Sequence, residues 1–385
     1  MEVTMRAQPF TIAVPDQILS NLHQRLSAAR WPDEVTDAGW DYGTNPQYLK
    51  ELTAFWRDHF DWRAHEAMLN RFPQFRADID GIGIHFIHER GQGAKPLPLI
   101  ITHGWPSSFA QMLKIIPPLT DPARHGGDPA DAFDVIVPSL PGYGFSDRPH
   151  DRGMTSRRIA ELWARLMAET LGYARFAAAG GDLGSGITRW LALTRPELLV
   201  GIHLTDVGYP IAEPPDLSDA ERRYLEAARD WSAREGAYGM LHSTKPQTLA
   251  YGLTDSPVGL AGWIVEKFRA WSDCAGEIER RFSKDELLTN IMIYWVTGTI
   301  NSSMRLYYEN AHAPRLSPEQ RIDVPAGIAL FPKDLILPPR EWVERSLRLH
   351  RWTEMPYGGH FAAMEAPDLL VEDLRAFFRP LRDAV

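Results

Sequence analysis

The sequence predicts an α/β fold, a mostly parallel sheet covered by helices, with a helical cap and a helical N-terminal segment. Three observations predict it. From about residue 76, short apolar runs alternate with stretches of helical period. That alternation lapses between about Glu213 and Pro318, where helix formers, Trp and Tyr accumulate. The first 75 residues or so are helical in pattern and rich in aromatics.

In the N-terminal segment Ile18, Leu22 and Leu26 repeat at helical spacing and stop before Pro32, which disfavours continuing the helix. A second helix is expected over YLKELTAFWRDHF, Tyr48 to Phe60. Apolar runs follow at FRADIDGIGIHFIHER, PLPLIITHG, FDVIVPSLPG, RFAAAGG, LVGIHLTDVG and AGIALFPKD. Between them, TSRRIAELWARLMAETLG has one apolar face and a Thr155 or Ser156 cap. These patterns divide the chain into an N-terminal segment (1–75), a first core part (76–212), a cap (213–318) and a second core part (319–385). An insertion after a strand covers the carboxyl edge of the sheet, where open α/β sheets bind ligands.

The bulk composition narrows the function classes. Hydrophobic residues make up 44% and charged residues 24%, an ordinary globular balance. The formal net charge is −9, with no long basic run, so nucleic-acid binding has no electrostatic support. The one cysteine, Cys274, cannot form an internal disulfide or a zinc site, so a reducing compartment fits best, and it reads as a passive small hydrophobe rather than a reactive thiol. MEVTMRAQPFTIAVPDQ mixes charge and proline too early for a signal peptide, and no run reaches the ~18 apolar residues of a membrane span. A cytoplasmic protein without a membrane partner is expected.

The chemistry centres on GGDLG, Gly180 to Gly184, between the apolar RFAAA and a helix-like SGITRWLALTRPELL. Its spacing is that of a nucleophile elbow, G-x-S-x-G, with Asp182 in the serine's place. Taken alone, the five residues are equally a turn with an Asp helix cap. HGWP, His103 to Pro106, follows a strand and can aim the Trp105 N–H beside the Leu183 N–H, two donors for an oxyanion. YGGH puts His360 in a loop before an amphipathic helix, where a general base would sit. Asp334, after AGIALFP, can orient that base; Asp206 in HLTDVG also ends a strand and is the alternative. The order nucleophile, acid, histidine is that of the α/β-hydrolases.

An aspartate is a poor nucleophile for an acyl carbonyl, because an anhydride results. Attack on an sp³ carbon gives an ordinary ester instead. Water activated by His360 can then attack the side-chain carbonyl of Asp182 itself. The expected substrate is an alkyl electrophile, an epoxide or a halide.

HGWP, GGDLG, FPKD, GGHFAA and the N-terminal PFTIAVPDQILSNLHQRLSAARWPDE together resemble the microsomal-type epoxide hydrolases across nearly the whole chain. The resemblance implies an α/β-hydrolase fold with a helical cap and cofactor-free hydrolysis of epoxides to vicinal diols. That family's charge-relay acid lies in the FPxE/D stretch, here Asp334. Its two cap tyrosines, which donate to the epoxide oxygen, correspond to Tyr238 in REGAYGMLHSTKP and Tyr307 in SSMRLYYENA, with Tyr308 as the adjacent alternative. Membrane-bound members carry an N-terminal anchor that this sequence lacks, so a soluble enzyme is expected. Leu183 stands where some relatives have tryptophan.

Two other readings compete. A haloalkane dehalogenase would share the Asp–His–Asp chemistry, and Trp105 could serve its halide. A non-catalytic ligand sensor would have no need of a complete Asp182, His360 and Asp334 set. No metal is expected, since His85 and His88 in HFIHE do not form HExxH, and no phosphate loop is present. The expected partner is a small epoxide, and the aromatic N-terminal segment is compatible with a homodimer.

Overall fold

Fully buried runs make the centre of the sheet. β4 (Leu97–Thr102), β5 (Phe133–Pro138), β6 (Phe176–Gly180) and β7 (Leu199–Leu204) are buried at every position, as parallel strands covered on both faces must be. In the computed structural model, which describes residues 6–208, 215–314 and 320–384, they belong to one nine-stranded sheet. The others are β1 (Gln8–Phe10), β2 (Gln74–Ile79), β3 (Ile82–Glu89), β8 (Ile322–Leu330) and β9 (Leu347–Glu354). The order is β1-β2-β3-β5-β4-β6-β7-β8-β9; β1 to β3 run antiparallel and the pairs from β5 to β9 are parallel.

Two strands escaped the sequence pattern. β9, LRLHRWTE, lies at an edge and buries little beyond Leu347, so its arginines hide the strand signal. β1 is three residues long and pairs with β2. The single run FRADIDGIGIHFIHER is two strands, joined at Asp80-Gly81; both residues have positive φ, as a two-residue hairpin turn requires. In TSRRIAELWARLMAETLG it is Thr155 that caps, accepting from the Arg158 N–H, and the helix ends in a wider turn at Leu166–Thr170.

Register aligns the carboxyl ends of the strands: Thr102 pairs with Gly180, Gly180 with Leu204, and Leu330 with Glu354. The loops that follow therefore open onto one edge. Above that edge lie the helices Asp219–Glu235, Ala237–Thr244, Pro246–Asp255, Pro257–Ala270, Lys284–Thr297 and Ile300–Ala311. Ser218 with Glu221, and Ser283 with Glu286, form capping boxes that start two of them, each worth about 1 kcal/mol.

The N-terminal helices Asp16–Ser27, Pro46–Asp58 and Trp62–Leu69 brace this layer. Thr44 Oγ1 donates to the Gly262 carbonyl at 2.6 Å, and Thr289 Oγ1 lies 2.9 Å from His65 Nδ1. The aromatics of this segment pack: Trp56 and Trp62 are buried. Cys274 is buried and unbridged. Among the described residues no helix is long and apolar enough to cross a membrane, and no group of three or more His, Cys, Asp or Glu side chains could hold a metal ion.

Candidate active site

Asp182 stands between β6 and the helix Leu183–Thr194 with φ 56° and ψ −127°, a conformation that costs a non-glycine residue about 1–3 kcal/mol. Its neighbours explain how the turn closes. A Cβ on Gly184 would lie 2.1 Å from the Thr102 carbonyl oxygen, and one on Gly180 would lie 2.5 Å from the Gly184 carbonyl. The turn is held by the Asp182 N–H, which donates to Asp206 Oδ2, and by the Asp182 carbonyl, which accepts from the Ser185 N–H at 3.0 Å. Leu183 opens the following helix, so its N–H is one of the first-turn amides that have no carbonyl partner within the helix.

On the other side of that carboxylate, the Trp105 N–H donates to Asp182 Oδ1 at 2.8 Å. Gly104 makes this approach feasible, because a Cβ there would stand 2.3 Å from Asp182 Oδ1. The cap fastens this loop: Asn290 Nδ2 donates to the Pro106 carbonyl at 2.8 Å, and the Tyr294 hydroxyl to the Ser107 carbonyl at 2.7 Å.

His360 reaches Asp182 from the loop after β9. Its Nε2 lies 3.5 Å from Asp182 Oδ2, and its Nδ1 lies 2.7 Å from Asp334 Oδ1. Burial opposes the imidazolium, but the Asp334 and Asp182 carboxylates outweigh it and hold the His360 pKa well above its usual value. Asp334 is thus the carboxylate on the imidazole. Asp206 has another place: besides the Asp182 N–H, it accepts the Gly208 N–H at 2.8 Å. Burial first, then the charges of Asp334 and Asp182, push its pKa up to about 7.

Facing Asp182 and His360 is a cavity of about 240 Å³, lined also by Leu183, Val207, Leu335 and Ile336. Tyr238 and Tyr307 form part of its wall, with ring centroids 6.0 Å apart. Burial, then Tyr238 and Asp182, hold the Tyr307 phenol protonated, well above its ordinary pKa. Tyr308 points elsewhere and stacks on His312 at 4.1 Å. The Trp105 indole lies under the Tyr238 ring, 5.2 Å away and nearly parallel.

Sequence patterns did not single out the residues that set the His360 loop. The His360 N–H donates to the Trp271 carbonyl at 2.8 Å, and the Trp271 ring meets the imidazole edge-on at 5.3 Å. Glu365, 6% exposed, accepts the Phe361 N–H at 2.9 Å and the Asp273 N–H at 2.7 Å, tying that loop to the cap. The available signal was an acid five residues after the histidine, inside the otherwise apolar FAAME.

Residues 7–112 match the model for the epoxide hydrolase N terminus, and residues 98–235 that for the alpha/beta hydrolase fold. Epoxide hydrolase 1 of Sus scrofa is 39% identical over 403 residues, spanning 96% of this chain and 88% of that protein. The chain belongs to the microsomal-type epoxide hydrolase family. Juvenile hormone epoxide hydrolase 1 of Ctenocephalides felis is 36% identical over 400 residues, spanning 97% of this chain and 85% of that protein. The structure of the Aspergillus niger epoxide hydrolase superposes with a TM-score of 0.87 at 30% identity, covering 98% and 97% of the two chains. The activity is that of an epoxide hydrolase, which opens an ether bond with water. One cavity of this epoxide hydrolase brings together Asp182, His360, Tyr238 and Tyr307.

Proposed function

We propose that this epoxide hydrolase works through an ester on Asp182. The observation that carries the reading is the Asp182 carboxylate held between the Trp105 N–H and His360, across a cavity from Tyr238 and Tyr307. A carboxylate oxygen of Asp182 forms a bond to an epoxide carbon. The ring C–O bond breaks, and its electron pair goes to the epoxide oxygen, which takes a proton from a cap tyrosine.

Esterification removes the negative charge of Asp182 and with it one support of the His360 proton. His360 gives that proton, through solvent, to the tyrosinate and becomes the base. It then takes a proton from water, whose oxygen attacks the Asp182 carbonyl carbon. The Trp105 and Leu183 amides face the resulting oxyanion. Collapse expels the diol oxygen, which takes the remaining water proton, and His360 is left protonated beside a regenerated Asp182.

A cavity of about 150 Å³ takes a benzene ring. The 240 Å³ here, walled by Leu183, Val207, Leu335 and Ile336, suits an epoxide with an aryl or alkyl substituent. Removal of reactive aryl epoxides is the role such a pocket fits. The two phenols favour this reading over halide release, since an epoxide oxygen stays bonded and needs a proton.

A single turnover in ¹⁸O-water tests the mechanism. The diol should carry no label, because its new oxygen comes from Asp182, and the label should appear in the peptide containing Asp182. Labelled diol in the first turnover would mean direct attack by water and would remove the ester.

A further inference from the structure

The helix Pro257–Ala270 buries a lysine where the cap interior would accept an apolar side chain. Lys267 is 5% exposed, and its Nζ lies 5.0 Å from the ring centroid of Tyr238, 5.5 Å from that of Trp271 and 6.0 Å from that of Trp263. Its carboxylate partner is the adjacent Glu266, which is 23% exposed. Glu235 and His242 also feel this ammonium; burial, reinforced by Lys267, pushes the His242 pKa down to about 3. Burying an ammonium is costly, so a role in packing alone would be better served by Met or Leu.

What the cation does follows from what it faces. Tyr238 is 5% exposed and carries the Trp105 indole stacked on its ring. A cation held at a phenol ring gains attraction as negative charge grows on that ring, and the gain is largest out of water. Among the described residues no cation is similarly held over the Tyr307 ring.

We propose that Lys267 is a positioning residue for epoxide opening, whose ammonium acts through the Tyr238 ring to make that phenol the stronger donor of the pair. The inference rests on the ester mechanism above. When the Asp182 oxygen bonds to carbon and the ring C–O bond breaks, the epoxide oxygen takes its proton from Tyr238. The tyrosinate left behind is held by Lys267 until the His360 proton returns to it through solvent. Tyr307 contributes a hydrogen bond and keeps its proton. Ester hydrolysis draws nothing from Lys267.

Single-turnover kinetics with styrene oxide, followed by rapid quench, resolve ester formation from ester hydrolysis. Lys267→Met is expected to slow ester formation about ten- to thirtyfold, with hydrolysis of the ester within about twofold of the original rate. Lys267→Arg keeps the cation and should restore ester formation to within about threefold. In a Tyr238→Phe background, Lys267→Met should cost less than about twofold more, because the phenol through which it acts is gone. Equal slowing of both steps, or an undiminished loss in the Tyr238→Phe background, would make Lys267 a packing residue and overturn the inference. Should Lys267→Met fail to fold by circular dichroism, Lys267→Gln runs through the same cycle with the same criteria. Absence of any Asp182 ester in the original enzyme would remove the mechanism itself, an outcome seen before any variant is measured.

Discussion

Nε2 of His360 stands 3.5 Å from Oδ2 of Asp182, on the side of the imidazole away from Asp334. That separation is long for a strong hydrogen bond but short enough for charge pairing. The imidazole therefore lies between two carboxylates, of which the reaction neutralises one. The proton affinity of His360 is high while Asp182 waits for substrate and falls once Asp182 is an ester, when a base is required.

Asp182→Asn should lower the His360 pKa from its raised value toward the ordinary histidine range. The sign follows from the cause, since an amide removes one of the charges that favour the imidazolium. NMR titration of ring-labelled histidine measures it. Diol formation should fall by at least about a thousandfold in the same variant. An unchanged His360 titration would show that Asp182 does not couple to it.

His360→Gln leaves the nucleophile and both tyrosines in place, so the ester should form and persist. Mass spectrometry of the peptide containing Asp182 would show an increase equal to the mass of the epoxide. An unmodified peptide in a variant that still binds substrate would count against His360 as the base.

Gly104→Ala tests the close approach of the loop to the nucleophile. The added methyl would stand 2.3 Å from Asp182 Oδ1, so either the loop or the carboxylate must move and the 2.8 Å bond from the Trp105 N–H is lost. A loss of about a hundredfold in kcat is expected, the usual order for one oxyanion donor. Retention of more than half the activity would mean that the Trp105 amide is dispensable.

Asp206→Asn should change the pH dependence of stability more than the chemistry. The folded protein keeps a proton on Asp206 up to about pH 7, whereas the unfolded chain releases it near the ordinary 3.8. Between those values the folded state holds more protons, so this group's contribution to stability falls as pH rises. The amide removes that slope; its oxygen can still accept the Asp182 N–H, while the lost acceptor for the Gly208 N–H costs the same at every pH. The Tm of the variant should therefore gain on the original enzyme between pH 4 and pH 7, in measurements by scanning calorimetry. A constant difference in Tm across that range would show that Asp206 is ionised throughout.

Much of the fold was legible because its signals are local. Runs such as LPLIIT and FDVIVP announce buried strands by their own composition, and the glycines of GGDLG permit the elbow whatever surrounds it. β9 was not legible, since it lies at an edge and alternates arginines with its apolar residues. Lys267 was not legible for a related reason, and Glu365 left only the trace of an acid inside an apolar run. A charge on an amphipathic helix reads as solvent-facing, and only the packing of the cap on the core puts these two inside.

The sequence by itself determined the chemistry on offer: a carboxylate in the place of a serine, a histidine and an acid downstream of it, and tyrosines in a helical insertion. The tertiary structure decided which of them meet. Asp206 and Asp334 both follow strands in the same sheet. The loop after β8 carries Asp334 to His360 Nδ1, while Asp206 turns back to the Asp182 amide. Tyr307 and Tyr308 are adjacent, and the rotation of one helix sends the first to the cavity and the second to His312. Residue types and their spacing along the chain are local properties. Which of two like groups reaches a common point depends on register and helix rotation, and these are set by how the whole core packs.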